Sequence, residues 1–559
     1  MNPADTSDLW WRTAVFYCLD VETFQDSDGD GVGDFAGLAS RIDDLAALGV
    51  TCIWLMPFQK TPDRDDGYDI SDFYAVDPRL GDFGHVTETI RVAHDRGIRV
   101  VIDLVINHTS DRHPWFVSAR RSRDSPHRDY YVWRDKPPRN EQPTMFPGEE
   151  SSTWEHDERT DQYYLHSFYR HQPDLNLANP AVRSEIARVI GFWLKLGIDG
   201  FRVDAVPFLV TGDGKAHSND PHSFLQEVHR FVGRREGSAL LLGEVGLTHD
   251  EQLTYFGDRG TELDLQFDFL TAQAAFLAFA RQDATPLAEV LRARPEVDVR
   301  HGWSMFLRNH DELSLALLSE EERNEVFDAF APEEHQRVYG RGIVRRLAPM
   351  LGDDPRRLRM AYSLLFSLPG APMLYYGEEI GMGELEGDLG RGAMRGAMQW
   401  DSGPSAGFTA AGTRRRRRRI AKGGYAPEYV NVHDQRRDPD SLWSFISGLA
   451  ARYRSTPEIA WGALRVLDVN ESRVLVHTTT ADRVQFVALH NLSSEPVTVR
   501  LPALGEESSH TVLIESATSA ADADYRDQVL DGYGYRWLRV IHGQTGGSTG
   551  GARRNSSAA

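Results

Sequence analysis

Cysteine is nearly absent from this sequence: Cys18 and Cys52 are the only two among 559 residues. Each sits inside an apolar run and reads as a small buried hydrophobe, so no disulfide framework organises the chain. Basic charge is also short. Lys and Arg number 62 against 83 Asp and Glu, a net charge of −21. That balance lacks the cationic field which nucleic acid or an anionic membrane surface requires, and neither is expected as a partner. No uninterrupted apolar stretch is long enough to span a bilayer. Met1-Asn2-Pro3-Ala4-Asp5 lacks the basic-then-apolar order of a secretory signal. The expectation is a soluble, cytoplasmic protein.

What the chain does contain is a repeated alternation. Apolar strand-like runs at Ala14 to Leu19, Val50 to Leu55 and Arg99 to Ile106 alternate with helical patterns. The first helix carries Phe35, Leu38, Ile42, Leu45 and Leu48 on one face and stops at Gly49; the second runs Val86 to His94. Strands so uniformly apolar, alternating with helices, imply a parallel sheet covered on both faces. From Thr109 to Gln172 the composition turns polar, too long for a connection, and reads as a subdomain inserted after strand three. Periodicity resumes at Asn179-Pro180, a helix cap followed by proline. Further strands are expected at Gly200 to Asp204, Ala239 to Leu242, Leu263 to Phe267, Trp303 to Leu307 and Pro372 to Tyr376. Eight β-α units predict an α/β protein, a (β/α)₈ TIM barrel with its site at the C-terminal strand ends.

The divisions expected are barrel over 1–108, inserted subdomain over 109–172, barrel again over 173–460, and a C-terminal antiparallel β-sandwich domain over 461–542. A Gly/Ser-rich tail, 543–559, is expected to be disordered. The six arginines Arg414 to Arg419 read as a solvated loop and receive no function.

Acidic groups gather where the strands should finish. Arg202 and Asp204 lie two apart on one strand and so face the same way, which places a guanidinium beside a carboxylate and favours its ionised form. Strand three ends in Asp103 to His108, strand five in Gly243-Glu244-Val245, and strand seven in Phe306 to Glu312. Glu244 stands among Leu240, Leu241, Leu242 and Val245, surroundings that favour its protonated form. A neutral substrate such as a sugar suits the acidic chain, and 12 Trp and 19 Tyr offer faces for stacking, although most serve as ordinary core.

These strand ends, with Gly370-Ala371-Pro372-Met373-Leu374-Tyr375-Tyr376-Gly377-Glu378-Glu379, resemble the α-amylase superfamily, glycoside hydrolase family 13. Gln172-Pro173-Asp174-Leu175-Asn176 resembles the branch of trehalose synthases and oligo-1,6-glucosidases. Arg64 to Ile70, Phe306 to Leu313, Arg345 to Pro349, Val430-Asn431-Val432 and Arg437-Asp438-Pro439 are similar to the trehalose synthases of that branch. The resemblance implies Asp204 as nucleophile, Glu244 as acid/base and Asp311 as transition-state stabiliser. It implies Tyr68, His108, Gln172, Arg202 and His310 around the glucose, with Asp66 and Arg395 closing the pocket floor and Asp65 as the alternative acid. A retaining glycosidase needs one ionised and one protonated carboxyl roughly 5 Å apart, which agrees with this assignment.

Asp26, Asp28, Asp30 and Asp34 fall at positions one, three, five and nine of an EF-hand-like loop, with the Val32 carbonyl at seven. Such oxygen ligands suit Ca²⁺, with Mg²⁺ as the alternative, although no glutamate stands at position twelve. Asn107 and Asp174 resemble a second calcium site. No organic cofactor is expected. Two departures from trehalose synthases stand out: Glu244-Val245-Gly246 where Glu-Ala-Asn is usual, and Tyr17-Cys18-Leu19-Asp20-Val21-Glu22 on the first strand. The expected activity is conversion of maltose to trehalose through a covalent glucosyl-enzyme. An exo-acting α-glucosidase is the alternative, and an inactive amylase-like scaffold is disfavoured by the retained carboxylates. The partner expected is a small α-glucoside, with a homo-oligomer left open.

Overall fold

Eight short strands close into one parallel barrel in strict chain order: β1 (Phe16–Leu19), β2 (Cys52–Leu55), β3 (Arg99–Leu104), β4 (Gly200–Val203), β5 (Leu240–Gly243), β6 (Leu265–Phe267), β7 (Gly302–Phe306) and β8 (Ala371–Tyr375), with β1 pairing to both β2 and β8. The computed structural model describes residues 9–209, 221–258, 260–409, 420–502, 508–516 and 526–542. The N-terminal leader, the Arg414–Arg419 run and the 543–559 tail lie outside the described residues. Nearly every strand residue is buried, because side chains facing inward fill the barrel and those facing outward meet helices. That is why these runs are apolar throughout.

The helices follow the sequence pattern, with one instructive difference. Phe35–Leu48 is capped by Asp34, whose carboxylate accepts from the Gly37 N–H, and Pro180–Lys195 is capped by Asn179. The second helix spans Phe83–Asp95, three residues earlier than its apolar periodicity indicates, because Asp82 and His85 form a reciprocal cap ahead of the first buried position. Strand β3 also stops earlier than expected. Past Leu104 the chain leaves the sheet, and the Asn107 carbonyl accepts from the Leu175 N–H.

Between β3 and β4 the inserted segment builds its own layer: a helix, Pro114–Ala119, against a three-stranded antiparallel sheet of Trp133–Arg134, Gln162–Leu165 and Trp154–Asp157. Phe116 stacks on Trp133 and meets Tyr131 and Tyr164 edge-on, giving the layer an aromatic core.

At the C-terminal side a five-stranded antiparallel sheet faces a two-stranded one, Val497–Arg500 with Asp527–Leu530. Val476, Val487, Leu489, Val499 and Leu538 fill the space between them, a small sandwich. The other face of the large sheet, with Leu475, Phe486, Ala488 and Trp537, packs onto the barrel. At that seam Trp537 Nε1 donates to Ser363 Oγ (2.9 Å), His490 Nε2 lies 2.9 Å from the same hydroxyl, and His477 Nε2 lies 3.0 Å from the Ser367 carbonyl. Among the described residues no helix is long and apolar enough to cross a membrane.

Candidate active site

Arg202 organises the carboxylates. It projects from β4, is 1% exposed, and reaches three acids from three neighbouring strand ends. Its Nη1 pairs with Asp204 and lies 2.7 Å from Asp103, while Nη2 lies 2.8 Å from Glu244. Trp54 lies under the guanidinium at 5.1 Å and donates from its indole to Asp103 (2.8 Å). The Glu244 carboxylate also accepts from the Ala205 N–H at 3.0 Å. Ala205 takes a left-handed conformation (φ 47°), so the chain turns sharply just past Asp204.

One guanidinium shared by three buried carboxylates changes the protonation expected from sequence. Arg202 was to hold Asp204 ionised by itself. Burial instead pushes Asp204 up to about 7, Arg202 opposes this, and the Asp103 charge adds to it. Asp103 is pushed up to about 6, again first by burial. Burial raises Glu244 as well, with Arg202 opposing and Asp204 and Asp311 adding. One guanidinium offsets three buried carboxylates only in part, so all three are shifted toward their protonated forms.

Asp311 is the contrast. Burial works to raise it, but His310, Arg391 and Arg395 outweigh that and hold it well below the usual carboxylate range. Its Oδ1 is 2.7 Å from Arg391 and 3.2 Å from Arg395, and its Oδ2 is 3.0 Å from His310. A carboxylate held ionised here is suited to stabilise positive charge that develops beside it.

The remaining sequence-selected residues surround these acids. Tyr68 stacks on His310, with its hydroxyl 2.8 Å from Nε2. His108 Nε2 lies 3.1 Å from the Tyr68 carbonyl, and burial depresses this histidine to about 4, leaving it neutral. Asp66 and Arg395 are ion-paired, and Arg395 also donates twice to the His310 carbonyl. The tight turn that delivers Asp66 has positive φ at Asp66 and Gly67; a side chain on Gly67 would meet the Pro57 carbonyl at 2.4 Å. The Gln172 amide donates to Asp65 (2.8 Å).

Asp65 leads to what sequence reasoning missed. Its other oxygen lies 3.2 Å from Arg391, which thereby joins Asp65 to Asp311. The Arg391 guanidinium sits over the Phe146 ring at 5.2 Å, and Phe146 stacks on Tyr169 (4.3 Å) and packs on Tyr339 (4.9 Å). Three separate loops thus meet above the acids: the inserted layer, the β7–β8 connection and the segment after β8. Beneath this clasp a cavity of about 690 Å³ runs from Asp204 and Glu244 past Phe168, Phe208 and Phe269. One signal was available in the sequence. Adjacent acids Asp65 and Asp66 face arginines four apart, Arg391 and Arg395, and the two pairs match one to one.

The Asp-rich loop after β1 brings Asp26, Asp28 and Asp34 together, with carboxylate oxygens all within 4.8 Å of one another. Asp26 accepts from the Gly29 and Gly31 N–H groups, and Asp34 from Ser27 and Gly37. Asp28 is raised, by burial first and then by its acidic neighbours Asp30, Asp26 and Asp34. Asp30 stands outside this trio and accepts from the Val32 N–H. Hard oxygen donors in mutual repulsion fit a divalent cation. Asn107 and Asp174 differ. The Asn107 amide donates to Asp174 (3.2 Å), whose carboxylate also accepts from Ser167, and the His108 Nδ1 lies 3.4 Å from the same amide.

Comparison with known proteins agrees with this geometry. Residues 21–331 and 343–462 match the family described as "Alpha amylase, catalytic domain", and residues 484–539 match "Sucrose hydrolase-like, C-terminal domain". The chain is 38% identical to a trehalose synthase/amylase TreS of Mycobacterium tuberculosis, over 99% of this chain and 94% of that one. It is 32% identical to an oligo-1,6-glucosidase of Parageobacillus thermoglucosidasius, over 88% and 92%. A solved trehalulose synthase, MutB of Pseudomonas mesoacidophila, superposes with a TM-score of 0.78 at 28% identity, over 95% of this chain and 99% of that one. A closed barrel, three strand-end carboxylates on one cavity and this matched extent place the chain in the α-amylase family of glycoside hydrolases.

Proposed function

We propose that this enzyme converts maltose to trehalose by double displacement at a single glucosyl unit. Arg202, touching both Asp204 and Glu244, is the observation that carries the retaining chemistry. In this reading Glu244 enters the reaction protonated and Asp204 attacks as the carboxylate. Asp204 bonds to the anomeric carbon as Glu244 protonates the departing glycosidic oxygen, while Asp311 faces the developing positive charge. Glu244, now a carboxylate, takes a proton from the anomeric hydroxyl of the released glucose. That oxygen attacks the glucosyl-enzyme, and the second inversion restores the α configuration in an α,α-1,1 linkage.

The Asp66–Arg395 pair supports an exo mode. A longer chain would have to break a mostly buried ion pair, and removing one partner of such a pair costs roughly 3–5 kcal/mol. The clasp of Phe146 over Arg391 supports transfer over hydrolysis, because it closes the acceptor side against water while glucose turns over. A divalent cation, Ca²⁺ or Mg²⁺, held by Asp26, Asp28 and Asp34 would brace the loop after β1 and take no part in bond breaking. The second reading, an α-glucosidase, rests on Glu244-Val245-Gly246, which departs from the trehalose synthase pattern beside the acceptor.

The test is reaction of maltose with labelled free glucose present. Trehalose carrying little label is expected. Glucose as the main product would overturn the transfer reading in favour of the glucosidase, and rapid internal cleavage of starch would overturn both. Phe146→Ala should raise the share of glucose among the products several-fold.

A further inference from the structure

One part of the clasp above the catalytic acids is held by charge and hardly by packing. Arg391 stands on a short turn, Gly390–Met394, and both Gly387 and Gly390 take left-handed conformations (φ 80° and 61°). A Cβ built on Gly387, Gly390 or Gly392 would meet no atom within 4 Å, and Leu389 among them is 76% exposed. The segment is pinned on its far side, where Met394 is buried and the Leu385 N–H donates to the Ala393 carbonyl (2.8 Å). Between Gly387 and Gly392 little apolar surface resists displacement.

The Arg391 side chain is what anchors it. Nη1 lies 2.7 Å from Asp311, Nη2 lies 3.2 Å from Asp65, and the guanidinium covers Phe146 of the inserted layer. That layer has two further ties across the opening. Arg341 donates to the Met145 carbonyl (2.6 Å), and the Tyr339 hydroxyl to Glu149 (3.5 Å). The two acids depend on Arg391 unequally. Asp311 keeps Arg395 and His310 if Arg391 leaves, whereas Asp65 keeps only the Gln172 amide among its side-chain hydrogen bonds. The Asp65–Arg391 pair is therefore the joint that opens at least cost to the catalytic acids.

We propose that Arg391 is a latch, a positioning residue whose bond to Asp65 keeps the cavity shut during the lifetime of the glucosyl-enzyme. The proposal rests on the transfer reading above and adds to it the residue that sets how often released glucose escapes. Release of Asp65 frees the glycine-flanked segment, uncovers Phe146 and admits water. Water then replaces the glucose hydroxyl: its oxygen bonds to the anomeric carbon as the Asp204 ester breaks, and Glu244 accepts its proton.

The joint is also titratable. Burial pushes Asp65 up to about 6; Arg391, Gln172 and Arg395 oppose this, and the Asp311 charge adds to it. Tyr169 and Asp69 also face Asp65, the latter accepting from its N–H (3.4 Å), and Glu312 faces Arg391. Above about 6 the pair is charged; below, Asp65 offers Arg391 only a neutral acceptor. The share of hydrolysis should therefore rise as pH falls through this value. A ratio of products cancels the step to the glucosyl-enzyme, which both outcomes share, so titration that only slows that step leaves it unmoved.

The variant to make is Asp65→Asn, which keeps the shape of the side chain and leaves Arg391 on Asp311. In the full-length enzyme the glucose share of the products from maltose is measured at about pH 7.5 and about pH 5, with hydrogen exchange of residues 141–150 alongside. The wild-type share should rise several-fold at the lower pH. Asp65→Asn should show the raised share at both, with exchange about tenfold faster than wild type at the higher pH, the cost of one charge-assisted hydrogen bond. Arg391→Lys, which cannot bridge two acids, should speed exchange likewise. Wild-type exchange in both variants would overturn the latch, and a share in Asp65→Asn that still follows pH as the wild type does would overturn Asp65 as its titrating joint. If the wild type releases only glucose at either pH, the maltose-to-trehalose reading falls, while the exchange comparison still decides the latch.

Discussion

The barrel's catalytic end and its seam with the C-terminal sheet both bury titratable side chains, but they solve the problem of charge in opposite ways. At the catalytic end Arg202, Arg391 and Arg395 keep Asp103, Asp204, Glu244 and Asp311 in overlapping ion pairs. At the seam His477 and His490 stack with ring centres 6.1 Å apart beside Phe486, bond to Ser367 and Ser363, and have Arg294 as the nearest charge acting on His477. No acid offsets them there, and burial depresses both, His477 to about 4. The first arrangement ties protonation to turnover; the second ties it to cohesion of the fold.

The largest effect expected falls at the catalytic end. Asp204→Ala removes the proposed nucleophile, and turnover of maltose should fall by several orders of magnitude. The melting temperature should change little, because Arg202 keeps Asp103 and Glu244. Retention of a tenth of wild-type activity would sink the assignment.

At the seam the coupling is to stability. His477 is depressed in the folded chain relative to an ordinary histidine near 6.5, so folding favours its neutral form. Its stabilisation is fully present above about 6.5 and is lost as pH falls toward about 4. Integrated over that window the loss is about 3 kcal/mol. The melting temperature should therefore drop between pH 6.5 and 4, and His477→Gln should flatten the drop. A slope unchanged in the variant would remove His477 from the account.

A smaller effect returns to the catalytic end. The Asp103 charge helps to raise Asp204, so activity should fall on the acid side near the upper end of the carboxylate range. Asp103→Asn removes that charge and leaves Arg202 more fully to Asp204. The acid limb of kcat/KM should then move to lower pH, by about one unit. Movement in the other direction would mean that Asp103 acts chiefly by holding Arg202 in place.

Why the two regions differed in legibility follows from the range of the interactions. The barrel was readable because each strand is buried on both faces, which writes a largely apolar run into three to six consecutive residues. Asp204 and Glu244 were readable because each follows such a run directly, and Asp311 because it stands in the short polar stretch just past one. The upward shift of the acids around Arg202 was not, since it depends on Asp103, Asp204 and Glu244, from three neighbouring strands, meeting one side chain. Arg391 was missed for the same reason: its partners Asp65 and Phe146 come from loops hundreds of residues away. The seam histidines sit in alternating strands where any residue type can face inward, and only the packed sheet shows what they touch.

The smallest effect concerns the loop that follows β1, where acids are held together with no arginine paired to them among the described residues. Asp26, Asp28 and Asp34 repel one another, and Asp28 is raised in consequence of burial and those neighbours. A cation bound only by the folded loop stabilises it by mass action, about 2.7 kcal/mol at a hundredfold excess over Kd. In a chain of this size that is a shift of a few degrees, which chelator should abolish. Asp28→Ala makes the sign decisive. With Ca²⁺ present the variant should melt below the wild type, because a ligand is gone. With chelator present the order should vanish or reverse, because the same substitution relieves repulsion. A wild-type melting temperature indifferent to chelator would show that the loop holds its acids apart by backbone N–H groups alone, through the bonds from Gly29, Gly31 and Gly37.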